Sequence, residues 1–144
     1  SCGAAALSLT NTVLKPLVLP TVTPLSAGTT AGLWIDRSLF LSAVVGLATG
    51  AVTGTPTAQS VTVTLKTSDN SGGSGAVDLK DMEGNAVTIA LTTGSAVIDK
   101  DVDLLGAKKY IGVSVVTAFT GGTTPAVPVN LFVALGDPQD TRNI

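Results

Sequence analysis

Between Lys109 and Leu135 apolar and polar residues alternate in two runs, separated by the polar break Thr120-Gly121-Gly122-Thr123-Thr124-Pro125. In the first run Ile111, Val113, Val115 and Phe119 share one side, and Tyr110, Gly112, Ser114 and Ala118 the other. In the second, Val127, Val129, Leu131, Val133 and Leu135 alternate with Pro128, Asn130, Phe132 and Ala134. A two-residue apolar repeat is the mark of a strand with one face on a core. With a glycine-bearing turn between them, the two runs predict a β-hairpin.

The same alternation recurs along the chain. Ser60–Lys66 sets Val61, Val63 and Leu65 against Ser60, Thr62, Thr64 and Lys66. Leu39–Leu47 places Leu39, Leu41, Ala43, Val45 and Leu47 on one side, and Ala86–Thr92 does the same with Val87, Ile89 and Leu91. Short strands are expected at Gly32–Asp36 and Ala76–Lys80, and a further one within Ser95–Leu105. Gly, Pro, Asn and Asp fall between them, and Ser68–Gly75 reads as an exposed loop. No stretch holds a 3.6-residue period over a normal helix length. The pattern predicts an all-β fold, a jelly-roll-like antiparallel β-sandwich of about eight strands.

Residues 1–30 differ from this pattern. Pro16, Pro20 and Pro24 recur among Leu, Val and Thr. Proline fixes φ and biases the residue before it away from helix, so an extended N-terminal arm is expected here, after a short helical turn within Ser1–Thr10. The domain division is an arm at 1–30 and a sandwich at 31–144. Val13, Leu14, Leu17, Val18, Leu19 and Val22 make the arm apolar. Such a segment needs a groove, on its own domain or on a neighbour, and these residues are the candidate interaction set. Trp34, the only tryptophan, is expected to be a core or interface anchor.

Composition sharpens the functional reading. Of 144 residues 44% are hydrophobic but only 3% aromatic, so the core must be built from Val, Leu, Ile and Ala. Charged residues are 12%, about half the usual fraction near 25%. A chain this poor in charge tends to expose apolar surface, and large apolar patches mark interfaces. Net charge is −2 and only Lys108-Lys109 are adjacent cations. No clustered positive field is available for nucleic acid or for an anionic membrane, so neither is an expected partner. No apolar run reaches the length of a membrane-spanning helix. A chain opening on Ser1 fits removal of an initiator methionine.

Candidate chemistry is sparse. There is no histidine, which removes the usual general base and the common nucleophile pairs. No catalytic residues, cofactor or metal are expected. Gly73-Ser74-Gly75 lacks the lysine and helix of a phosphate loop. Asp99, Asp101 and Asp103 fall on one side of a strand, and oxygen clusters suit Ca²⁺. However, Leu104 stands where the turn glycine of a calcium loop belongs and Tyr110 where its bidentate Glu would be. The preferred reading is a solvated strand face that discourages wrong edge pairing. Asp36, Asp69 and Asp137 read as turn residues. Cys2 is the one cysteine. It reads first as an inert thiol, with an intermolecular disulfide or a lipid attachment as alternatives.

Two segments resemble small structural proteins of tailed phages. One runs from Gly106-Ala107-Lys108-Lys109-Tyr110-Ile111-Gly112-Val113 to Ala134-Leu135-Gly136-Asp137-Pro138; the other is Val61–Asn70. Together they cover about half the chain. The resemblance implies a capsid decoration or cement protein on the outer surface of the virion, with the major capsid protein as partner and self-association as a dimer or trimer. The competing readings are a neck, collar or tail component, and a carbohydrate-binding or adhesin sandwich. Modules of the last kind usually carry exposed aromatics, in which this chain is poor.

Overall fold

The structure, a computed structural model, describes residues 13–15 and 24–138. Those residues form ten strands and no helix: β1 (Val13–Lys15), β2 (Gly28–Ala31), β3 (Ile35–Asp36), β4 (Phe40–Thr49), β5 (Ala58–Ser68), β6 (Val77–Asp78), β7 (Thr88–Leu91), β8 (Val97–Asp103), β9 (Tyr110–Thr120) and β10 (Val129–Pro138). They build two antiparallel sheets. A four-stranded sheet has the order β1-β10-β4-β8. A six-stranded sheet has the order β2-β9-β5-β6, with β3 also on β9 and β7 also on β5. The chain is an all-β, jelly-roll-type antiparallel sandwich.

The alternating positions face one another across the space between the sheets. Val45 and Leu47 of β4, and Leu131, Val133 and Leu135 of β10, meet Val61, Val63 and Leu65 of β5 and Ile111, Val113 and Val115 of β9. Every member of the buried hydrophobic set is aliphatic. Close-packed branched side chains fill such a slot, with Phe40 and Phe119 packed against it as partly buried neighbours.

The hairpin expected from Lys109 to Leu135 is not formed. β9 pairs with β2, β3 and β5, whereas β10 pairs with β1 and β4. The break between them climbs from one sheet to the other. Gly121, Gly122 and Thr124 take positive φ there, the Thr123 amide donates to the Gly54 carbonyl at 2.8 Å, and Ala126 and Val127 bridge to Thr53 and Leu25. A Cβ at Gly122 would lie 2.6 Å from the Gly54 carbonyl oxygen, so only glycine permits that approach. The two runs are thus face to face across the core instead of side by side. Both arrangements produce the same period in sequence.

Leu39 also departs from expectation. It is 58% exposed and sits at φ 73° in a turn closed by the Phe40 amide on the Arg37 carbonyl. β4 therefore begins at Phe40 and its inward set begins beyond Leu39. Of Gly32–Asp36 only Ile35–Asp36 is a strand, although the Gly32 amide still donates to Val113.

The described part of residues 1–30 is paired into the sandwich. β1 lies on β10 in the register Val13↔Leu135, Leu14↔Ala134, Lys15↔Val133. Leu25 is a core residue, and β2 crosses the expected boundary at residue 30 to pair with β9.

Candidate binding face

The outer face of the four-stranded sheet is set by the same two-residue repeat that fills the core. With Ala43, Val45 and Leu47 turned inward, β4 presents Ser42, Val44, Gly46 and Ala48 outward. The cross-strand register places Ala134, Phe132 and Asn130 of β10 beside Val44, Gly46 and Ala48. On the other side it places Asp103, Asp101, Asp99 and Val97 of β8 beside Ser42, Val44, Gly46 and Ala48. Phe132 reaches across its neighbour strand. A Cβ on Gly46 would lie 2.1 Å from the Phe132 ring, so the ring covers the glycine. Even so, Phe132 stays 39% exposed, Val44 37% and Val97 73%.

Toward one end this face opens into a cleft of about 590 Å³, bordered by Leu41, Val44 and Leu105 and by Asp101, Asp103 and Asp137. Asp103 Oδ1 accepts from the Leu105 amide at 2.9 Å, and Asp137 Oδ2 accepts from Ser42 Oγ at 2.8 Å. The ion pairs formed among the described residues lie elsewhere: Lys66–Asp78 at 2.6 Å and Lys108–Asp69 at 3.7 Å. Lys100, the only cation of β8, reaches the Thr88 carbonyl at 3.3 Å. Asp99, Asp101 and Asp103 follow the strand repeat, roughly 7 Å apart. No group of three or more metal-ligating side chains converges among the described residues.

Trp34 is on the other sheet. Its indole is held between Gly112 of β9 and Gly73 of the β5–β6 loop; a Cβ on either glycine would lie 2.7 or 2.3 Å from the ring. Trp34 thus ties that loop to the six-stranded sheet. At the adjoining end Arg37 donates to the carbonyls of Ala107, Lys108 and Phe40. Asp36 Oδ1 accepts from the Ser38 hydroxyl and amide, and the hydroxyl bond above all holds the Asp36 carboxyl below its ordinary range. The Lys66 hydrogen bond does the same for Asp78.

Of the candidate interaction residues, Val13 and Leu14 lie in β1 on the chain's own β10. Leu17, Val18, Leu19, Val22 and Cys2 lie outside the described residues. The surface made by Val44, Phe132 and Val97 has no contiguous signal in the sequence, because the three lie on separate strands. Phe132 stood on the polar side of its run, and that was the available signal.

No family model matches the sequence, and no curated protein matches it. Among solved structures the chain is similar to PNGF-II, with TM-score 0.51 and 9% identity, over 98% of this chain and 37% of that one. It therefore spans little more than a third of that protein. It is also similar to the CBM36-1 domain of a multidomain xylanase from the hindgut metagenome of Trinervitermes trinervoides (TM-score 0.43, 9% identity, 90% of this chain and 100% of that one). A third is the coat protein of Tobacco streak virus (TM-score 0.35, 12% identity, 90% and 89%). Carbohydrate-binding modules recur among the similar structures. At these identities the likeness reaches the sandwich fold and stops there.

Proposed function

We propose that the chain is a non-catalytic structural module that fixes itself to a repeating protein lattice through the outer face of its four-stranded sheet. In the most specific form of this reading it is a decoration protein on the outer surface of a phage head, bound to the major capsid protein and to copies of itself. The observation that carries the reading is the exposure of Val44, Phe132 and Val97 on one sheet face of a sandwich whose core is already filled. Those three side chains offer roughly 200–250 Å² of apolar surface, worth about 5–6 kcal/mol if fully buried. Association itself costs a comparable amount, so one copy binds weakly. A lattice that holds many linked copies gains through avidity.

The resemblance to phage structural proteins supports the capsid form. Its two segments are neighbours in space. β5 pairs with β9 from Ala58↔Thr120 to Ser68↔Tyr110, and the Lys108 amide donates to Thr67 Oγ1 at 2.7 Å. Val61–Asn70 and the Gly106–Val113 part of the other segment thus form one hydrogen-bonded frame in the six-stranded sheet, while the Ala134–Pro138 end lies on β10, where Ala134 and Asp137 belong to the proposed face and its cleft.

Quantitative mass spectrometry of purified particles tests the reading. Hundreds of copies per particle are expected. About six or twelve would move the protein to a neck or tail, and none would remove the viral assignment. A second reading, a carbohydrate-binding module, is favoured by the exposed Phe132 ring beside Asn130 and the cleft carboxylates, since a sugar stacks on a ring and hydrogen-bonds to carboxylates. Glycan-array binding that Phe132→Ala abolishes would establish it instead.

A further inference from the structure

The cleft beside this face combines features that together specify a partner. Its floor is apolar, from Leu41, Val44 and Leu105, and its rim carries Asp101, Asp103 and Asp137. Among the described residues no cation lines this cleft, and none of the three carboxylates is in an ion pair. Asp103 and Leu105 also border a second depression of about 170 Å³, lined besides by Met82, Gly106, Asp81 and Lys80. The two share that wall and form a channel along the end of β4 and β8, whose one described cation, Lys80, stands in the second depression with Asp81. Leu105 is 68% exposed and Met82 84%, so apolar surface persists to its far end. Among the described residues no strand lies beyond β8 in its sheet, so no described strand of that sheet limits approach from the side.

We propose that this channel takes an extended polypeptide segment of the lattice partner in which apolar residues alternate with Lys or Arg. An extended chain turns successive side chains to opposite sides. Its apolar set would lie on Leu41, Val44 and Leu105 while neighbouring cations meet Asp101, Asp103 and Asp137. The volume falls within the range that holds small-ligand-sized groups, which suits a few side chains at a time. Exposed ion pairs are individually weak and screened by salt, so apolar contact supplies the hold and the carboxylates set the sign of the partner. This inference rests on the lattice-binding reading and names the partner's chemistry at the same face.

The test uses the full chain and a fluorescein-labelled alternating Lys-Val hexapeptide, read by fluorescence polarisation at low and high salt. Two control peptides replace Lys by Glu, or Val by Ser. Saturable binding of the Lys-Val peptide alone is expected. Asp101→Asn with Asp103→Asn should weaken it roughly tenfold, and so should Leu105→Ser. Asp69→Asn, in the β5–β6 loop of the other sheet, should leave it unchanged. Circular dichroism confirms that each variant is folded. Equal binding of the Lys-Ser peptide would reduce the site to unspecific charge attraction and overturn the proposal. Concentration-dependent self-association that the Asp101 and Asp103 changes abolish, without peptide binding, would assign the channel to a second copy and also overturn it. Particles that carry the protein in hundreds of copies, and retain the doubly substituted variant, would refute the channel while leaving the lattice reading intact. Peptide binding by a protein absent from particles would do the reverse.

Discussion

Two buried threonines should respond in opposite directions to the same substitution. Thr117 is on the inner face of β9 at 3% exposure, and its Oγ1 has no hydrogen-bond partner among the described residues. Thr67 is equally buried on β5, but its Oγ1 donates to the Tyr110 carbonyl at 3.0 Å and accepts from the Lys108 amide at 2.7 Å. A buried unpaired polar group costs about 1–3 kcal/mol. Thr117→Val replaces that hydroxyl by a methyl of similar size, so a gain of about 1 kcal/mol is expected. Thr67→Val strands the Lys108 amide and should cost about 1–3 kcal/mol. In a domain of this size each kcal/mol moves Tm by about 2–4 °C. Urea unfolding is the assay, with the midpoint shifting and the slope m constant. A lower midpoint for Thr117→Val, or shifts of the same sign for both variants, would refute the assignment of paired and unpaired hydroxyls.

Gly112→Ala puts a Cβ 2.7 Å from the Trp34 ring. It should displace the indole, shift its emission to the red and destabilise by about 1–3 kcal/mol; an unaltered emission spectrum would contradict the packing. For Asp36, held below its ordinary pKa chiefly by the Ser38 hydroxyl, the folded-state value lies under the unfolded one. Its contribution to stability is therefore present above the unfolded pKa and fades as pH falls through the lowered folded value. Ser38→Ala should raise the Asp36 midpoint toward the ordinary aspartate value in a carboxyl-detected NMR titration, and an unmoved midpoint would exclude that cause.

Strand positions and inward faces were legible because period two is a local property. Val61, Val63 and Leu65 had to share a side wherever β5 went. Partnership was not local. The runs around Ile111 and Val133 had the same period whether laid side by side or face to face, and it was the Gly122–Gly54 contact, remote in sequence, that separated them. Leu39 read as an inward residue because its spacing fitted, while the turn closed on Arg37 moved it out. The candidate face was hidden for a related reason. Phe132, Val44 and Val97 sit on three strands distant in the chain, and only the registers of β10 and β8 on β4 bring them onto one surface. The acidic row Asp99, Asp101 and Asp103 was visible, since it lies on a single strand. Its apolar companion Leu105 gained meaning only beside Leu41.

Each sheet carries one ring laid over a glycine on its outer side, Phe132 over Gly46 and Trp34 over Gly112, around an interior of aliphatic side chains. The chain's sole indole fluorophore therefore belongs to the skin of the molecule. Its emission will respond when the loop bearing Gly73 lifts away, while the aliphatic interior, which is silent at those wavelengths, can still be intact. A melt followed by tryptophan light and one followed by backbone dichroism need not coincide, and the gap between them would measure how independently the outer layer loosens.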